Sequence, residues 1–112
     1  MALYYDLPVY KDTYKLVRLI FEYTKEYPRE YKYTLGQDMK RDGLSLVRSI
    51  YRANRSTNKK EYLEEFLDDF EILKLEVRLS YDMRILTIRH HAEISKLMDD
   101  IGKQINAWRR SG

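Results

Sequence analysis

Apolar side chains recur at steps of three and four along four stretches of this chain, and no stretch of any length alternates with period two. Such steps keep side chains on one face of a helix, so the pattern predicts four amphipathic helices and no sheet. The first is predicted over 8–27. Asp6 is its candidate cap, and Pro8 suits an early helical position, where a missing N–H costs nothing. Tyr10, Tyr14, Val17 and Phe21 fall along one line, and Val9, Leu16, Ile20 and Tyr27 along another. Only Lys11, Lys15, Arg18, Glu22 and Lys25 form a clean polar face. So wide an apolar arc is expected to bury two sides, one in its own bundle and one against a second subunit.

The second helix is predicted over 35–53, entered through Thr34-Leu35-Gly36-Gln37, which has the form of a capping box. Met39, Leu46, Val47, Ile50 and Ala53 form its apolar face, and 54–58 is a turn. The third is predicted over 59–83, with Asn58 as cap in a variant box ending at Glu61. Leu63, Phe66, Leu67, Phe70, Leu73, Val77 and Tyr81 mark its inner face. The early acids Glu61, Glu64, Glu65, Asp68 and Asp69 suit the positive end of its dipole. The fourth is predicted over 88–109, with Thr87 as cap and Ile88, His91, Ile94, Met98, Ile101, Ile105 and Trp108 as a near-heptad seam. Arg109 and Arg110 sit at its negative end, and Gly102 would allow close packing. Short connections between four such helices imply an all-α fold, an up-down-up-down antiparallel four-helix bundle, with residues 1–112 as one domain.

Composition narrows the chemistry. The chain has 112 residues and no cysteine, which excludes disulfides, thiolate metal sites and cysteine nucleophiles. No uncharged apolar run approaches the roughly 18 residues of a membrane span, so no membrane partner is expected. The opening stretch from Met1 to Asp6 has neither a basic nor an apolar leader region, so a cytoplasmic location is expected. Eleven tyrosines in so small a chain imply many rings at edges or subunit interfaces, where the hydroxyl stays wet. The net charge of +3 is unevenly spread. Residues 1–60 carry 13 Lys/Arg against 7 Asp/Glu, whereas residues 61–112 carry 8 against 11. Such asymmetry points to an anionic partner or an acidic neighbouring subunit.

The strongest candidate feature is on the second helix. Arg41, Arg48, Arg52 and Arg55 fall within about 60° of one another at helical spacing, opposite the Met39/Leu46/Ile50 face. They would form a line about 20 Å long, continued by Lys59 and Lys60. Guanidinium groups bind phosphate bidentately, so the line is a candidate contact for RNA or DNA. An intersubunit ion-pair role and a plain solvated face remain open alternatives. Lys11, Lys15 and Arg18 on the first helix make a weaker second set, interrupted by Glu22.

His90 and His91 point about 100° apart on a helix and do not share a metal easily. Asp68-Asp69 and Asp99-Asp100 lack the Glu-x-x-His companion of di-iron bundles. Ser45, Ser49, Ser56, Ser80 and Ser95 sit in no nucleophile motif, and no glycine loop for phosphate is visible. The expectation is a non-enzyme with no metal and no cofactor.

Several runs carry a resemblance: Thr34-Leu35-Gly36-Gln37-Asp38, Leu46-Val47-Arg48-Ser49-Ile50-Tyr51-Arg52-Ala53-Asn54, Phe66-Leu67-Asp68-Asp69-Phe70-Glu71 and Glu93-Ile94-Ser95-Lys96-Leu97-Met98. With the order of elements, they resemble the four-helix-bundle family of accessory variability determinant (Avd) proteins of diversity-generating retroelements, which also includes proteins encoded in intervening sequences of 23S rRNA. The resemblance implies a homopentameric ring with a basic surface that binds a reverse transcriptase and nucleic acid during mutagenic copying of a template repeat. It implies no polymerase activity of its own. Arg41, Arg48, Arg52 and Arg55 are the positions that would match that role. The rRNA intervening-sequence protein and a purely structural oligomer are the rival expectations.

Overall fold

The computed structural model describes residues 3–111. After a 3-10 turn at Tyr4–Asp6, the elements are α1 (Pro8–Thr24), a single-turn α2 (Arg29–Lys32), α3 (Leu35–Arg55), α4 (Lys59–Asp82) and α5 (Ile88–Ser111). The four long helices form an all-α bundle, with no strand among the described residues. Contacts run round a ring: α1 meets α3, α3 meets α4, α4 meets α5, and α5 returns to α1. Neighbours run in opposite directions. Tyr4 lies against Tyr51 while Thr24 lies beside Gly36. Gln104 bonds Asp12 while Tyr23 bonds Glu93. Tyr81 stacks on His91 while Glu64 pairs with Arg109.

The predicted seams close the core except at the start of α5, where Ile88, expected on the seam, is 70% exposed because it precedes the first turn packed on α4. Leu16 and Ile20 of α1, Met39, Leu46 and Ile50 of α3, Leu63, Phe66, Phe70 and Leu73 of α4, and Ile94, Ile101 and Ile105 of α5 are fully buried. Each contributes about 1.5–3 kcal/mol relative to exposure. At Gly43 a Cβ would stand 3.3 Å from Val17 Cγ2, so the missing side chain sets how closely α3 approaches α1.

Helix ends depart from the sequence expectation. Asp6 lies inside the 3-10 turn, and Leu7 occupies the cap position of α1 with no side-chain bond. α1 stops at Thr24, whose hydroxyl donates back to Ile20 O at 2.7 Å. Tyr27 then turns inward and is buried against Met39. α2 was not visible in the periodicity, because one turn is too short to show it; it forms as Tyr31 and Lys32 donate to Pro28 O. That turn claims the Thr34 hydroxyl, which donates to Glu30 O at 2.8 Å, so the expected box at 34–37 does not form. Asn58 meets the Glu61 side chain instead of a backbone amide. Thr87 does cap, accepting the His90 N–H at 3.1 Å. Among the described residues, no helix is long and apolar enough to cross a membrane.

Candidate nucleic-acid interface

The 21 residues of α3 reach Arg55, so the arginine line is carried on one continuous helix. Its exposed edge reads Gln37, Arg41, Leu44, Arg48, Tyr51 and Arg55, in alternating steps of four and three, with half-exposed Arg52 beside it. This is the face opposite buried Met39, Leu46 and Ile50, and the packed core prevents the helix from rolling it out of view.

The four guanidiniums are not equivalent. Arg41 pairs with Asp42 and Asp38, each at 3.3 Å. The bond to Asp42 and the two carboxylate charges push its pKa up still further. Among the described residues, Arg48 and Arg52 meet no carboxylate at ion-pair distance, although Arg48 is near enough to Asp69 to favour its charged form. Arg55 lies 4.9 Å over the Tyr51 ring, which leaves the N–H edges of the guanidinium open. Lys60 is exposed. Lys59 is not free for a phosphate: its ammonium donates to Ala53 O, Asn54 O and Ser56 O at 2.9, 3.2 and 3.1 Å. The end of a helix leaves carbonyls without partners, and an ammonium with three donors satisfies them in place.

Lys11, Lys15 and Arg18 are all exposed on α1. They do not merge with the arginine line. Lys15 shares a shallow groove on the α5 side with Asp12, Glu93, Lys96 and Asp100, and Arg18 shares another with Phe21, Glu22 and Lys25. The cationic surface therefore consists of two separate strips, one per helix.

Acids collect on the other flank of α3, where it meets α4. Glu76 is pushed from 4.5 up to about 8, first by burial, then by the hydrogen bond and charge of Asp42. Among the described residues, Asp42 Oδ2 and Glu76 Oε1 are buried without a hydrogen-bond partner, and the raised Glu76 carboxyl suits a proton shared between the two. Burial and the charges of Glu65, Asp42 and Asp68 also raise Asp69. His90 and His91 part as expected: His90 stacks on Tyr23 of α1, and His91 on Tyr81 of α4.

Two surfaces escaped the sequence reading. One is on α4, where Ile72, Leu75 and Leu79 are 51, 61 and 42% exposed in a 3–4 register that continues to Met83. The signal was present as a second apolar line, but Leu63–Tyr81 masked it. The other is a run of tyrosines between α1 and α3. The expected two-sided character of α1 belongs to that run: Tyr14 and Phe21 face out while Val9, Leu16 and Ile20 face in.

A family model described as bAvd-like matches residues 8–112, a span that includes all four long helices. Among curated proteins, none matches the chain.

Proposed function

The chain belongs to the bAvd-like family, and we propose that it works as a non-enzymatic accessory protein of a diversity-generating retroelement. In this reading it binds RNA or DNA together with the element's reverse transcriptase while a template repeat is copied mutagenically. The observation that carries the reading is the set of guanidiniums outside any ion pair among the described residues, Arg48, Arg52 and Arg55, carried on one rigid helix. They suit phosphate, and among the described residues none of the three meets a carboxylate at ion-pair distance.

The exposed aliphatic stripe on α4 supports self-association, and a homopentamer is the assembly that the family resemblance implies. Repeating the arginine strip in a ring would multiply weak phosphate contacts without reading bases. A cytoplasmic setting belongs to the same proposal. The 23S rRNA intervening-sequence protein shares the fold and differs in context. An adjacent reverse transcriptase gene and template repeat separate the two.

The test is a gel-shift titration with RNA and DNA at two salt concentrations. Arg48→Glu combined with Arg52→Glu is expected to abolish binding while helicity and oligomer size stay intact. On single strands, Arg48→Ala with Arg52→Ala should flatten the log–log salt slope by about 1.4, at about 0.7 per phosphate contact. Unchanged binding removes the strip as the site. Dissociation of the assembly would instead assign the arginines to pairing with the acidic start of α4 on a neighbour.

A further inference from the structure

The tyrosines between α1 and α3 form one connected ribbon. Tyr4 sits edge-on to Tyr5, Tyr10 and Tyr51, with centroids 5.3, 5.3 and 5.1 Å away. Tyr10 continues by stacking on Tyr14 at 6.1 Å, and Tyr51 continues to Arg55. The rings are not used up by the core: Tyr5, Tyr14 and Tyr51 remain 49, 51 and 41% exposed.

Position makes the ribbon informative. On α1, Tyr10, Tyr14 and Phe21 fall within about 40° on the side facing α3, and Lys11 and Arg18 lie roughly 60–80° further round. On α3, Tyr51 meets Tyr4 beside the start of α1, and Arg48 and Arg52 lie roughly 60–100° further round. The aromatic faces thus run between two cationic strips, with Lys40 of α3 lying over Phe21 of α1 at 5.5 Å. Cations outnumber the carboxylates Asp6 and Glu22 on these margins.

We infer that the α1–α3 face is a platform for single-stranded nucleic acid, with unpaired bases stacking on Tyr5 and Tyr14 while the flanking cations hold the backbone. This rests on the nucleic-acid reading above and narrows it to strands with accessible base faces. Stacking on aromatic rings is sequence-tolerant, because every base has a π face. A duplex hides those faces and offers only its phosphates. A second copy of the chain fits this face less well than it fits α4, where the exposed residues are aliphatic and the neighbouring charges are acidic.

The test uses the whole protein and fluorescence anisotropy with three labelled 20-mers: a mixed-sequence single strand, the same strand with its central residues abasic, and the duplex. The single strand is expected to bind at least tenfold more tightly than the abasic strand of equal charge. Tyr5→Ala with Tyr14→Ala should lose 10- to 100-fold on the single strand at an unchanged salt slope. Tyr5→Phe with Tyr14→Phe should retain binding and guards against a folding artefact. Equal affinity for the intact and abasic strands overturns the platform and leaves the phosphate reading standing. A smaller assembly in the alanine variant, with oligonucleotide affinity unchanged, assigns the face to self-association and also overturns it. If none of the three probes binds at low salt, the nucleic-acid reading fails and the platform fails with it.

Discussion

Glu76→Gln tests how the α3–α4 contact responds to pH. Glu76 is half-buried beside Asp42 and Asp38, with Arg41 partly offsetting them. Its carboxyl is raised from 4.5 to about 8, so the folded chain holds this proton more tightly than the unfolded chain does. The stabilisation is therefore complete below about pH 4.5 and is lost as pH rises through about 8. At 1.36 kcal/mol per pH unit the gross figure is about 5 kcal/mol. The group is about half open to water, and solvent screening reduces this to about 1–2 kcal/mol. Glutamine keeps the shape, can donate to Asp42 and does not titrate. Thermal melts followed by circular dichroism at pH 5, 6, 7 and 8, at constant ionic strength, give the comparison. Wild type and variant should nearly coincide at pH 5. By pH 8 the variant should melt roughly 5–10 °C higher. Asp69 is raised in the same direction, but it is present in both proteins and drops out of the difference. Parallel profiles, or a variant that melts below wild type at pH 8, would refute the shared proton.

Three further expectations follow from particular atoms. Thr13 is fully buried and its hydroxyl has no partner among the described residues, so Thr13→Val should raise stability by about 1–2 kcal/mol in urea unfolding. Lys59→Met should cost about 1–2 kcal/mol by stripping three carbonyls at the end of α3, yet leave the salt slope of nucleic-acid binding unchanged. Leu75→Glu with Leu79→Glu places charge on an already exposed stripe, so helicity should persist while sedimentation shows a smaller assembly.

The sequence alone determined the four long helices, their inner faces and the outward line of arginines. Each depends on the fixed rotation of about 100° per residue within a single helix, so spacing along the chain suffices. It was blind where one element competes with another for a polar group. Thr34 looked like a cap until α2 took its hydroxyl, and Lys59 looked like a phosphate ligand until the end of α3 took its ammonium. It was equally blind to groups brought together from different helices. The raised Glu76 carboxyl beside Asp42 and the meeting of Tyr4 with Tyr51 depend on how α1, α3 and α4 sit against one another. Only the packed core decided those distances. Short-range hydrogen bonds and ring contacts depend on ångström-scale placement, which periodicity along one helix does not encode.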